Sequence, residues 1–178
     1  MKAISNACAV TALAVGMTVS APSQAVTQSQ VARLQAGPAC QLSIPTTDTK
    51  TRPKATAFRN EGTTNAFVIC EFGSPTGEMT KAEMYVTSID GVPRNVTCTG
   101  VNGFNIAPSV SEIAYSAKTV STDAVEGVLA DFLWDASDFG GTAGSNLPNS
   151  GFFSVTCNLP PQTAINVYGM YFNQEIGA

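Results

Sequence analysis

The chain has no histidine among its 178 residues. That absence removes the commonest general base, the commonest metal ligand and the usual pH switch. Ser-His-Asp and Cys-His nucleophilic sites are ruled out with it. Charge is scarce too: charged residues are 12% of the chain, about half the usual share. No basic run occurs, and 13 acidic against 9 basic residues leave a formal net charge of −4. Such a balance argues against nucleic acid and against anionic membrane as partners. No Gly-x-Ser-x-Gly elbow, Gly-rich phosphate loop or Cys-x-x-Cys pair is present, so no cofactor is expected. No apolar run reaches the roughly 20 residues of a membrane-crossing helix.

What the chain does have begins at its start. Lys2 precedes an apolar run from Ala7 to Val19, and Ala21-Pro22-Ser23-Gln24-Ala25 follows. A short positive start, an apolar run of about a dozen residues and small residues at positions 23 and 25 are the parts of a secretory signal peptide. Residues 1–25 are therefore expected to be a cleaved signal peptide of bacterial type. The mature protein would be secreted or periplasmic. Cys8 has no cleavage box before it and does not read as a lipid anchor. Val26 to Gln35 is mostly polar, and residues 26–39 are expected to form a flexible lead. Residues 40–178 are then a single domain, expected as a monomer, with enough chain to bury a core.

The mature segment holds Cys40, Cys70, Cys98 and Cys157. An even count in an exported chain reads as two disulfides, with three possible connectivities. Cys98 lies in Val96-Thr97-Cys98-Thr99, and Cys157 in Val155-Thr156-Cys157-Asn158. Both phrases have the character of strand centres, which favours Cys98–Cys157 between two core strands. Cys40–Cys70 would then tie the N-terminal segment to the first long strand. Zinc would need paired ligands at close spacing, and these cysteines are far apart.

Strand signals recur from Thr56 onward: 56–59, 65–72, 81–89, 95–99, 112–120, 125–134, 152–159 and 164–172. Lys81 to Ile89 alternates, with Ala82, Met84 and Val86 on one face and Glu83, Tyr85 and Thr87 on the other. Asp90-Gly91 reads as a hairpin signal before the next strand. Val128, Ala130, Phe132 and Trp134 share a face in the same way. Ile44 to Lys54 and Gly100 to Ser109 read as loops. About eight short strands without interleaved helices predict an all-β, antiparallel sandwich of jelly-roll type.

Candidate chemistry is sparse. Asp131, Asp135 and Asp138 lie close together before a Gly-rich loop and are the nearest approach to a calcium site. The alternating spacing of an efficient calcium loop is missing, and the stretch reads as a solvated acidic loop. Trp134 sits on the apolar face of its strand and is expected in the core. Tyr85 shares its face with Glu83 and Thr87 and is the better candidate for an exposed ring. Tyr85, Asp135 and Asp138 are thus the possible ligand surface. No residue is assigned a catalytic role.

The phrase Val155-Thr156-Cys157-Asn158-Leu159-Pro160-Pro161, followed by Ile165-Asn166-Val167, resembles the C-terminal part of a group of small exported bacterial proteins. Val68-Ile69-Cys70 and Val96-Thr97-Cys98 match that group's internal cysteines, and Cys40 matches its first. Glu71-Phe72 departs from it, because the group often has proline after the second cysteine. The resemblance implies a β-sandwich with two disulfides and brings no activity with it. The expected function is a non-enzymatic binding or interaction domain for a glycan or an envelope protein. A structural subunit of a surface fibre and a carboxylate-dependent hydrolase are the alternatives.

Overall fold

A computed structural model describes residues 25–43, 50–73, 77–107, 110–111, 113–149 and 152–177. The expected signal peptide therefore lies, except for Ala25, outside the described residues. In chain order the elements are β1 (Val26–Gln35), α1 (Ala36–Ala39), β2 (Cys40–Leu42), β3 (Thr51–Lys54), β4 (Ala57–Asn60), β5 (Ala66–Glu71) and β6 (Glu78–Ser88). They continue with β7 (Asn95–Asn102), β8 (Asn105–Ala107), β9 (Val110–Ser111), β10 (Ala114–Ser121), β11 (Ala130–Asp135), β12 (Phe153–Leu159) and β13 (Thr163–Ile176).

Two antiparallel sheets form the sandwich. The six-stranded sheet runs β11-β6-β13-β4-β3, with β1 also paired to β13; the five-stranded sheet runs β10-β7-β12-β5-β2. A small ribbon, β8-β9, stands apart. Each of the eight expected strands is present. Alternation is why they could be seen: β12 is buried at every second residue from Phe153 to Leu159, as a strand with one face on a core must be. The core between the sheets includes Trp134, Tyr168, Phe58, Phe72, Phe132, Met79 and Met84.

Both disulfides have the expected pairing, Cys40–Cys70 and Cys98–Cys157. Each joins residues directly opposite on adjacent strands, β2 with β5 and β7 with β12. Both bonds therefore lie within the five-stranded sheet and point into the core.

Several expectations are corrected. Residues 26–39 are not a flexible lead: Val26–Gln35 pairs residue by residue with Ile176–Val167 of β13, and Ala36–Ala39 is a helical turn. None of the β1 residues is buried, so burial holds little of it and the backbone ladder holds the rest. Polar composition alone therefore misleads there. Thr51–Lys54, read as loop, is the edge strand of its sheet, where Pro53 is tolerated. The strand read from Val125 begins only at Ala130, because Gly127 takes φ +78° in a turn that leaves Val125 and Val128 exposed. Asp90-Gly91 is a turn but not a hairpin, since β6 and β7 lie in different sheets. Arg94 closes that arch, donating to Asp90 from Nη1 at 2.6 Å and Nη2 at 2.7 Å.

Candidate functional site

The outer face of the six-stranded sheet carries most of the polar chemistry. Register places Lys81, Glu83 and Tyr85 of β6 opposite Asp135, Leu133 and Asp131 of β11 on one side. On the other side they meet Tyr171, Gly169 and Val167 of β13. Arg33 of β1 lies beside Gly169 in turn. Four strands thus bring one row of side chains into contact.

Glu83 is the centre of that row, 5% exposed although it points out of the sandwich. Its Oε1 accepts from Arg33 Nε at 3.2 Å. Its Oε2 accepts from Tyr85 OH at 3.1 Å and from Tyr171 OH at 2.9 Å. Arg33 Nη2 also donates to Tyr171 OH at 3.3 Å. Lys81 Nζ lies 3.9 Å from the centroid of the Tyr171 ring, a cation–π contact. A carboxylate so enclosed needs these donors, because an unpaired buried charge is costly. Gly169 makes the arrangement possible: a Cβ there would lie 3.1 Å from Glu83 Oε1 and 3.3 Å from Arg33 Cγ.

The electrostatics follow the contacts. Burial, then the hydrogen bond to Glu83 and its charge, push the Tyr85 phenol above its ordinary pKa. The Glu83 hydrogen bond, followed by burial, does the same for Tyr171. Hydrogen bonding to Glu83 also raises Arg33. All three groups stay in their protonated forms through the neutral range, so the network is fixed as one set of donors around one acceptor.

The residues expected as a ligand surface divide. Tyr85 lies on this face, and Asp135 stands opposite Lys81 at its margin. The Asp135 carboxylate, however, is committed to a turn, accepting from Ser137 N at 2.8 Å and Ser137 Oγ at 2.6 Å. These bonds hold its pKa below the usual carboxylate value. Asp138 is not brought to the face. Its Oδ2 accepts from Asp135 N at 2.9 Å and from Lys118 Nζ at 2.8 Å, closing a short 3-10 turn over Ala136–Phe139. Asp131, Asp135 and Asp138 are accordingly not gathered. Among the described residues, no group of three or more acidic or cysteine side chains could hold a metal ion.

Arg33 has no obvious sequence signal, and Tyr171, one of the rings that could line a sugar groove, has none for which way it faces. Arg33 sits in a polar stretch without apolar alternation. Tyr171 is masked by a bulge at Asn166, which shifts the register of β13 against β6. Ile165 faces in before it and Tyr168 after it, so the odd–even rule changes sense within the strand. A separate open groove of about 770 Å³ lies beside Leu34, Glu71, Phe104 and Phe152. Its walls mix apolar and polar surface, and it gathers no comparable polar network.

No family model matches the chain, and no curated protein does. Among solved structures, the chain is similar to a family 11 carbohydrate-binding module from Clostridium thermocellum, at 9% identity, TM-score 0.34, covering 87% of this chain and 88% of that one. It is also similar to a chain of the Desmodium yellow mottle tymovirus structure, at 7% identity, TM-score 0.42, with 99% and 96% covered. A third is the Podospora anserina GH26-CBM35 beta-(1,4)-mannanase, at 11% identity and TM-score 0.43. There the match covers 81% of this chain but spans only 28% of the mannanase. These scores are low, and the sandwich assignment rests on the strand pairing itself.

Proposed function

We propose that the chain is an exported, non-enzymatic domain that binds a glycan on the outer face of its six-stranded sheet. The observation that carries this reading is the convergence of Tyr85, Tyr171 and Arg33, from three strands, on the single carboxylate of Glu83. The Tyr85 ring offers an apolar face to sugar C–H groups, while Lys81 lies over one face of Tyr171. The guanidinium, the Lys81 ammonium and the Asp131 carboxylate at the margin offer donors and acceptors to adjacent hydroxyls. Holding these groups in place before a ligand arrives reduces the entropy lost on binding. Two disulfides support passage into an oxidising space. No helix among the described residues is long and apolar enough to cross a membrane.

The test is calorimetric titration of the mature protein against a panel of neutral and acidic oligosaccharides. Binding that weakens about tenfold or more in Tyr171→Ala and in Arg33→Ala supports the reading. Absence of binding to any panel member, or binding that both variants retain in full, counts against it.

One observation favours the fibre-subunit reading as a second possibility. β1 is a ten-residue edge strand with no buried residue, the kind of segment that can be exchanged between copies. Light scattering that finds a monomer at all concentrations, with β1 protected in place, removes that alternative.

A further inference from the structure

The five-stranded sheet has an outer face of a different kind. Strand register sets its side chains in three rows. One reads Gln41, Ile69, Thr156, Thr99, Ala117; the next Phe67, Asn158, Thr97, Thr119; the third Glu71, Ser154, Val101, Tyr115. Glu71, at one corner, is the single charged residue in these rows. Most charged residues of the strands lie on the other sheet, Arg33 and Lys81 near Glu83 and Arg52 and Lys54 beside Glu61.

Three features of this face point to a ligand. Its hydroxyls are largely free: Thr97 and Thr119 bond each other at 2.9 Å, while Thr99 and Thr156 side chains bond nothing among the described residues. Large rings stand open at opposite corners, Phe67 at 51% and Tyr115 at 66% exposure. Strand spacing and rise put these two positions roughly 20 Å apart. Both disulfides lie beneath this sheet, tying β7 to β12 and β2 to β5. The covalent bracing of the fold is thus spent on the sheet that bears this face, not on the one that bears the charged network.

We propose that this face is a second binding surface, for an insoluble, uncharged polysaccharide. A charged polymer would find no counter-charge across the rows beyond the Glu71 corner. A packed neutral polysaccharide presents repeating hydroxyls and apolar ring faces over a distance comparable to the whole sheet. The two disulfides brace this sheet, so it meets a stiff partner with little loss of conformational freedom. Free threonine hydroxyls act as donor and acceptor at once, so they serve either polarity of sugar hydroxyl. The two corner rings supply stacking. This surface is independent of the glycan reading given for the opposite face.

The experiment is depletion of the mature protein from solution by microcrystalline cellulose and by chitin particles. Depletion by either is expected, and it should persist as salt is raised from about 0.1 M to 1 M, because no exposed ion pair is involved. The double variant Thr99→Glu/Thr156→Glu places two charges at the centre of the face and should lower partitioning about tenfold or more. Tyr115→Ala, which touches only an exposed ring, should lower it with the fold intact by circular dichroism and guards against misfolding of the first variant. Glu126→Gln, in the exposed turn before β11, should leave depletion unchanged. The proposal is overturned if neither particle depletes the parent protein. It is also overturned if the Glu and Tyr115 variants bind like the parent, or if salt abolishes binding. Self-association through this face without particle binding likewise overturns it. Failure of soluble-oligosaccharide binding in Tyr171→Ala, with particle binding kept, separates this surface from the other.

Discussion

Gly100 and Trp134 meet inside the sandwich so closely that Gly100 can take no side chain without displacing the ring: a Cβ there would lie 2.9 Å from the indole Nε1 and 3.0 Å from its Cδ1. Trp134 is fully buried, and its Nε1 donates to Ser116 O at 3.1 Å. Gly100→Ala must therefore shift the ring or the strand. Overpacking of this type costs about 1–3 kcal/mol. Equilibrium unfolding in urea should show that loss. Trp134 is the chain's single tryptophan, so its fluorescence reports the site directly.

Glu83 anchors the charged network, and its removal should be felt in two ways. Glu83→Ala takes one acceptor from Arg33, Tyr85 and Tyr171, and a hydrogen-bonded charged group of this kind contributes about 1.5–3 kcal/mol. The Tyr85 and Tyr171 pKa values, both raised in part by Glu83, should fall. Phenolate absorbance in an alkaline titration should accordingly rise at lower pH in the variant. Unchanged tyrosine titration would show that the carboxylate does not govern the two rings.

Alkaline pH should destabilise the domain through Tyr168. Burial, and then the charge of Glu71, push its pKa up to about 12. An unfolded tyrosine titrates near 10, so the native state holds this proton longer than the unfolded chain does. The stability linked to it is complete below about pH 10 and is lost as pH rises toward 12. Tyr168→Phe should flatten that part of the stability profile. At neutral pH it should cost about 1 kcal/mol, because the hydroxyl donates to Glu71 O at 2.7 Å. Denaturant midpoints measured across this pH range check both effects.

Amide exchange should rank the strands. β1 has no buried residue and pairs along one side with β13, so its amides should exchange by local opening well below the global unfolding free energy. β7 and β12, paired with each other, flanked on both sides and bridged by Cys98–Cys157, should be the slowest. Equal protection of β1 and β12 would contradict this. Loss of the Cys98–Cys157 bridge in a Cys98→Ser/Cys157→Ser variant should lower stability by about 2–4 kcal/mol.

The eight main strands, their inward faces and the pairing of four cysteines were legible in the residues alone. The reason is that a strand with one buried face writes its orientation at every second position, and this pattern is local. Val96-Thr97-Cys98 and Val155-Thr156-Cys157 each announce an inward cysteine, and two such strands can place those cysteines opposite. The tertiary structure alone decided what β1 does, since its ten residues are held by hydrogen bonds to a strand more than a hundred residues away and by almost no burial. It also decided the company of Tyr85. Arg33, Glu83 and Tyr171 come from three strands, a bulge at Asn166 reverses the facing of the last, and no local periodicity carries that information. The separation of most strand charges onto one sheet and of free hydroxyls onto the other is likewise a product of sheet order. After β4, most connections in the chain pass from one sheet to the other, so neighbours in sequence are seldom neighbours in a sheet.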